Sequence, residues 1–238
     1  MPVENNTIRT MLGIAVLAAG AGWIAHSAIS DGGSHHGLAD DATGKEIVGS
    51  GNVIDVDRPL DDVHAIRLDG AYKAKITIGG KPSLRITADD NVVKLIETET
   101  DDGTLTVKTR EDYSLKSAPR LTITVPQLDS LHLETSTVTV TGLAGDAFKL
   151  DIDGASDVTA SGAVQHASIE IDGAGKLRLK DLATADMTLR MDGAGDAEVT
   201  ATRALDVKID GAGHVRYFGS PKDVKKDVEG FGLVESDT

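Results

Sequence analysis

A motif that returns at a nearly constant spacing limits the folds open to this chain. It reads LDIDGASD from Leu150, IEIDGAGK from Ile169, LRMDGAGD from Leu189 and VKIDGAGH from Val207, with a weaker KDVEGFGL from Lys226. The first glycines of these motifs are evenly spaced along the chain: Gly154, Gly173, Gly193, Gly211 and Gly230. A period of about 19 residues, built from strand and turn residues without a helical run, predicts a β-solenoid in which each repeat pairs in parallel with the previous one.

The spacing within the motif predicts which side chains face the core. Positions two before the first glycine are apolar in every repeat: Ile152, Ile171, Met191, Ile209 and Val228. One repeat earlier Thr135 holds the place of the glycine, and the residue two before it is the apolar Leu133. Positions four after it are also apolar: Val158, Leu177, Ala197, Val215 and Val234. Positions five after it are polar and should point outward: Thr159, Arg178, Glu198, Arg216 and Glu235. Because arginine and glutamate alternate there, each charge should have opposite charges in the neighbouring repeats.

The glycines predict a corner where the chain leaves one face of the solenoid for the next. A bend of this kind needs a positive φ, which glycine adopts without steric cost. Alanine between the two glycines is small enough to stack on its own copies. We assign the structural corners to Gly154, Gly173, Gly175, Gly193, Gly195, Gly211, Gly213 and Gly230.

An aspartate precedes the corner in four repeats, at Asp153, Asp172, Asp192 and Asp210. Each carboxylate could accept hydrogen bonds from backbone N–H groups of its turn. Stacking would also make these residues a column of like charges, which solvent and salt, backbone donors, a shared proton or calcium could relieve. The sequence predicts no cofactor and no metal site, with calcium at these four aspartates as the alternative. The second corner of each repeat, near Gly142, Gly162 and Gly219, lacks the signature of calcium-binding nonapeptide solenoids.

The N-terminal segment predicts export. Residues 11–25 carry no charge, Arg9 precedes them, and no lysine or arginine follows until Lys45. This asymmetry places the N-terminus in the cytoplasm and the rest of the chain outside. Residues 1–30 are therefore a signal anchor or a signal peptide, since small residues before Ala28 would also suit cleavage. An anchored protein would face the periplasm from the inner membrane, and a cleaved one would be periplasmic or at the cell surface.

Residues 31–51 are rich in glycine, aspartate and serine and predict a flexible linker. Residues 52–238 predict one continuous β domain, with a β-rich part over 52–130 and the solenoid repeats over 131–238. The exception to the strand pattern is the stretch 90–99, which suggests one short helix or an irregular strand.

Composition and charge exclude several classes of function. The formal net charge of −14 disfavours nucleic acid and anionic membrane surfaces as partners, so we expect membrane contact through the N-terminal segment only. The absence of cysteine excludes disulfides and thiolate catalysis. The carboxylates occur as columns rather than as one convergent cluster, so no catalytic residue is predicted and the protein is not expected to be an enzyme.

The aromatic residues Tyr217, Phe218 and Phe231 lie in the last two repeats. They could cap the open end of the solenoid or form a surface for a protein partner. The nearby proline and lysines of SPKDVKKD, from Ser220, are typical of protection against edge-to-edge strand pairing.

The stretch GSGNVIDVDRPLDDVHAIRLDGAYKAKITIGG from Gly49, with the DGAG corners that follow, resembles the head GIN domain family of bacterial envelope proteins, which carry the label of auto-transporter adhesins. The resemblance runs from about Gly49 to the C-terminus. It implies a single-stranded right-handed parallel β-helix preceded by a β-rich segment, with no catalytic residues. The usual corner of the family reads SGSG, whereas here aspartate replaces the first serine.

Three classes of function follow. The leading one is a non-enzymatic exported protein of the cell envelope that presents a repetitive acidic surface as an adhesin or scaffold, with an unknown envelope protein or surface ligand as its partner. The alternative is a membrane-anchored regulatory or stress-sensing partner of another envelope protein. The third, a polysaccharide-active β-helix enzyme, lacks a recognisable site.

Overall fold

The structure, a computed structural model, describes residues 45–110, 113–115 and 117–237. The predicted anchor or signal segment and residues 31–44 of the predicted linker lie outside these ranges. The described chain is all-β, as predicted, with one short helix, α1, at Asp90–Val93. None of its helical segments is long and apolar enough to cross a membrane. The strands are β1 (Lys45–Ile47), β2 (Val53–Arg58), β3 (Ala65–Ile78), β4 (Ser83–Asp89), β5 (Ile96–Asp101), β6 (Thr104–Thr109), β7 (Tyr113–Leu115), β8 (Arg120–Val125), β9 (Ser130–Ile152), β10 (Ala155–Phe218), β11 (Asp223–Gly230) and β12 (Leu233–Ser236).

Most strands join one mixed sheet that does not close on itself. Its order is β11-β10-β9-β3-β8-β4-β2, with β12 beside β10 and β6 beside β3 and β5. The pairings of β4 with β2 and β8 are antiparallel, as is that of β5 with β6. Parallel pairings join β3 to β9, β9 to β10, and β10 to both β11 and β12. β1 and β7 form a separate parallel pair.

The parallel pairings follow the period of the sequence. Val138 of β9 lies beside Val158 of β10, its equivalent in the next repeat. Ile209 of β10 lies beside Val228 of β11, again one repeat further along the chain. β3 extends the same stack, because its Ala74 lies beside Val138 on the other side of β9. The β-rich N-terminal part and the repeats therefore share one sheet, and one hydrophobic core runs from Val63 to Val215.

The two predicted inward ladders form this core. At the position two before the corner glycine, the residues from Leu133 to Ile209 are at most 2% exposed. At the position four after it, the residues from Val158 to Val215 are at most 1% exposed. Val228, in the terminal repeat, is 39% exposed although it stands in register with buried Ile209. Its exposure follows from its place at the end of the stack.

The stretch 90–99 contains both predicted alternatives, since α1 is followed closely by the first residues of β5. The end of the predicted linker lies against this region. Ser50 donates a hydrogen bond of 2.6 Å from its hydroxyl to the Asp90 carboxylate, and the Gly51 amide donates one of 2.8 Å to Asp89. Within the described residues, β1 at Lys45–Ile47 lies inside the predicted linker, before the predicted start of the domain at residue 52.

Candidate functional site: the corner face of the repeats

The corners stack directly on one another through their backbones. The amide of Ala174 donates a hydrogen bond of 2.7 Å to the carbonyl oxygen of Gly154, and the amide of Phe231 donates one of 2.7 Å to Gly211. Gly193 has a φ of +132°, and a Cβ atom added to it would overlap the carbonyl oxygen of Gly173. Glycine is therefore required for two reasons, of which the sequence analysis identified only the positive φ.

Like Gly193, the first glycines Gly173, Gly211 and Gly230 meet both requirements, whereas the other corner glycines meet one or neither. A positive φ occurs at the first glycine of the later corners: Gly173, Gly193, Gly211 and Gly230. Gly154 lacks a positive φ, but a Cβ atom there would overlap the carbonyl oxygen of Glu134. At Gly195 the conformation is ordinary and only the overlap with the Gly175 backbone applies. The remaining second glycines, Gly175 and Gly213, are buried beneath the corner.

The four aspartates of the predicted column, Asp153, Asp172, Asp192 and Asp210, are exposed. Among the described residues no group of three or more histidine, aspartate or glutamate side chains is placed to hold a metal ion. The predicted hydrogen bonds from turn amides to these carboxylates are not found within the described ranges, and this prediction was wrong. Instead the Asp153 carboxylate lies 3.4 Å from Nε2 of His132 in the preceding repeat. The others point into solvent, which relieves their mutual repulsion.

A shallow groove of about 1090 Å³ runs along the corners. We call it the corner groove. Its floor consists of the small residues that follow the corner glycine: Ala155, Ser156, Ala174, Gly175, Ala194, Gly195, Ala212 and Gly213. Its rim carries the side chains one position further on, with Asp157, Lys176 and Asp196 alternating in charge before His214. The sequence showed that these positions recur, but a groove depends on how far the alanines recede beside longer neighbours.

An aromatic residue lies at each end of the corner groove. Phe231 is 85% exposed at the C-terminal end, where Leu233 also lines the groove. At the other end, buried Tyr72 shares a hydrogen bond of 2.9 Å with the hydroxyl of Thr109. Burial raises the pKa of Tyr72 to about 12, so its hydroxyl is neutral at physiological pH.

Two buried serines continue the column of second corner glycines toward Tyr72. The Ser156 hydroxyl accepts a hydrogen bond of 3.0 Å from the amide of Ser136. The Ser136 hydroxyl accepts one of 3.2 Å from the amide of Tyr72 and donates one of 2.9 Å to the carbonyl oxygen of Gly70. These hydroxyls fix the floor of the groove in the repeats that lack the second glycine, a role that sequence reasoning missed.

The predicted aromatic surface is divided in the structure. Tyr217 is half-buried against the end of the core. Phe218 is also half-buried, whereas Phe231 lies in the corner groove. Tyr217 therefore caps the core, and Phe231 is the aromatic residue that a partner could reach.

The outward charge ladder forms ion pairs between repeats at Arg216. The guanidinium of Arg216 lies 3.1 Å from the Glu198 carboxylate and 3.9 Å from that of Glu235. A second network joins Asp186 to Arg203, with 2.6 Å between Nε and Oδ1, and to His166, with 3.0 Å between Nδ1 and Oδ2. The hydrogen bonds from Arg203 hold the pKa of Asp186 below its ordinary value.

Comparison with known proteins identifies the family. The model of the family described as "Putative auto-transporter adhesin, head GIN domain" matches residues 62–221. A solved structure of a "putative adhesin" from Bacteroides fragilis is 22% identical, covers 80% of this chain and 100% of its own, and has a TM-score of 0.66. Another "putative adhesin", from Parabacteroides merdae, is 19% identical, covers 82% of this chain and 100% of its own, and has a TM-score of 0.52.

At identities this low, the likeness to the solved structures shows a shared fold and nothing further. No curated protein matches the chain. The family match spans well over half of the chain, from the loop before β3 to the loop before β11. The chain belongs to the head GIN domain family.

Proposed function

We propose that the protein is an exported, non-enzymatic protein of the cell envelope that contacts an extended, repetitive ligand through its corner groove, as an adhesin or surface scaffold. The observation that carries this proposal is the construction of the groove. Equivalent residues of successive repeats form its floor and rim, so the same chemistry recurs along it. A polysaccharide or a repetitive protein surface presents matching groups at a regular spacing and could make many weak contacts at once.

The fold supports an elongated contact surface. We infer that the parallel repeats wind as a right-handed β-helix, since each segment pairs with its equivalent in the next repeat and their corners stand in one column. Each repeat would then add about 4.8 Å to the length of the groove. The short corners leave no long loops to wall off a deep pocket in the described part of the repeats, which favours surface contact over catalysis.

The charge of the chain restricts the ligand. A net charge of −14 repels anionic polymers, whereas the rim of the groove carries both signs at Asp157, Lys176 and Asp196. A neutral or zwitterionic chain suits such a rim better than a nucleic acid does. The exposed ring of Phe231 would offer a stacking surface at one end.

Export rests on the uncharged segment 11–25 with Arg9 before it, and on membership of a family described as adhesins. The segment would either anchor the protein in the inner membrane, facing the periplasm, or be cleaved and release it. In neither form does the β domain need to contact the membrane itself.

Deletion of the gene in its own bacterium tests the proposal. Loss of surface attachment or envelope integrity, restored by the full chain, would support it. Unchanged attachment and integrity in the deletion strain would contradict it. Crosslinking in intact cells distinguishes the alternative, because a regulatory role predicts one dominant crosslinked envelope protein.

A further inference from the structure

The stack of repeats ends in an exposed layer of apolar side chains. Within the described part of the chain, β11 pairs with β10 on one side and with no strand on the other. Val224 and Val228 of β11 are each 39% exposed, although they stand in register with buried Leu205 and Ile209. A free strand edge with apolar inward positions invites pairing with another chain.

One charged residue interrupts this layer. Lys226 lies in register with Val207, which is 0% exposed, so its side chain faces the same way as those of the buried core. Its Nζ donates a hydrogen bond of 2.9 Å to the carbonyl oxygen of Val234 in β12 and lies 5.0 Å from the centre of the Tyr217 ring. The side chain therefore reaches from β11 to β12 across the open end of the core, with its charge stabilised by a carbonyl oxygen and an aromatic face.

We propose that Lys226 keeps a second copy of this chain from pairing end to end with the terminal repeat. Two copies related by a two-fold axis would bring their β11 strands together antiparallel. With the axis at Lys226, Val224 of each copy faces Val228 of the other, and Lys225 faces Asp227. The unfavourable pairs are Asp223 with Glu229 near the ends of the strands, where solvent screens them, and Lys226 with its own copy at the centre.

The central pair decides the outcome because it would be enclosed between two cores. Two ammonium groups buried without counter-ions cost far more than exposed like charges. If the register between the two β11 strands shifts by two positions from this pairing, Lys226 lies opposite Val224 or Val228 and is still buried. A register shifted by one position sets inward against outward side chains and loses the apolar contact. Each pairing that joins the two cores thus encloses Lys226.

The test compares adjacent lysines of one strand. Lys225 faces outward, with its Nζ 3.2 Å from the Asp206 carboxylate, and so provides the matched control. The full chain and its variants K226V, K226M and K225V are purified under one set of conditions, and molar mass is measured by light scattering over a range of concentrations. We expect the parent and K225V to be monomeric. We expect K226V and K226M to form dimers, with dissociation constants at least about tenfold lower than those of the parent and K225V.

A further variant locates the interface. Adding V224K to K226V places a new charge in the same apolar layer and should restore the monomer. The proposal is overturned if the parent chain is already a dimer that V224K disrupts, if neither Lys226 variant dimerises, if K225V dimerises equally, or if V224K leaves the K226V dimer intact. K226M, whose side chain can still cover Tyr217, decides the matter where K226V fails to fold.

Discussion

The Ala174 amide donates a hydrogen bond of 2.7 Å to the carbonyl oxygen of Gly154, one repeat earlier in the chain. This contact joins two consecutive corners through their backbones and leaves the Ala174 side chain exposed on the corner face. The same arrangement recurs where the Phe231 amide donates to the carbonyl oxygen of Gly211. Close stacking of the corners accounts for both the glycines and the groove above them.

Alanine substitutions separate the two requirements for glycine. G193A combines a positive φ with an overlap on Gly173, G195A has only the overlap on Gly175, and G79A has only the positive φ, at +101°, with open space around it. Backbone strain alone costs about 1–3 kcal/mol. We therefore expect G193A to lower the free energy of unfolding more than either of the other variants, measured by denaturant titration. Equal losses for G193A and G79A would show that the contact between corners places no constraint on the sequence.

The Arg216 ion pairs should contribute modestly and depend on salt. Arg216 and Glu198 are each about one-third exposed and 3.1 Å apart, so a double-mutant cycle with R216A and E198A should give a coupling of roughly 0.2–1 kcal/mol at low salt. Molar sodium chloride should reduce the coupling, because it screens charges that solvent reaches. A coupling that is zero at low salt would contradict a stabilising ladder.

The network at Asp186 predicts a dependence of stability on pH. Its folded pKa is lowered, so its contribution is present above the ordinary value of 3.8 and is lost as the pH falls through the folded pKa. D186N should therefore melt at a lower temperature than the parent at neutral pH, with a difference that shrinks only below pH 3.8. D172N is the control, because its exposed carboxylate makes no ion pair within the described ranges. A difference that is already lost well above pH 3.8 would contradict this assignment to the Asp186 carboxylate.

Calcium should not stabilise the protein specifically. The structure brings no group of three or more carboxylate or histidine side chains together within the residues it describes. Melting the purified protein in EDTA, in millimolar calcium and in millimolar magnesium should give matching transitions for the two cations. A rise with calcium alone would mean that the column from Asp153 to Asp210 binds the ion.

Sequence reasoning predicted the parts of the fold that depend on periodicity. Ile171 and Leu177 could be assigned to the core because a fixed spacing from the corner determines which way each side chain points. The groove could not be predicted, because its depth depends on where the exposed Ala194 side chain lies relative to two longer neighbours. These are Asp196 of the same repeat and Lys176 of the preceding repeat. The lysines of SPKDVKKD indicated protection of the strand edge, but the sequence did not show that Lys226 faces inward, since this direction follows from its register with Val207 rather than from its residue type.

The ordered end of the predicted linker was hidden for a different reason. Glycine, serine and aspartate are typical of flexible segments, but here Ser50 and Gly51 bond to carboxylates that lie far away in the chain, on Asp90 and Asp89. Local composition carries no information about such partners. The bonds to the aspartates at the corners failed as a prediction because the stacked backbones use the corner amides instead, as the Ala174 amide does.

Complementation of the deletion strain tests whether the corner groove is the contact surface. A194L fills the floor of the groove, whereas A183L adds the same side chain at an exposed alanine of β10 outside it. With matched melting temperatures and equal amounts of both variants in the envelope, we predict that A183L restores surface attachment and A194L does not. Equal restoration by both variants would show that the corner groove is not the contact surface.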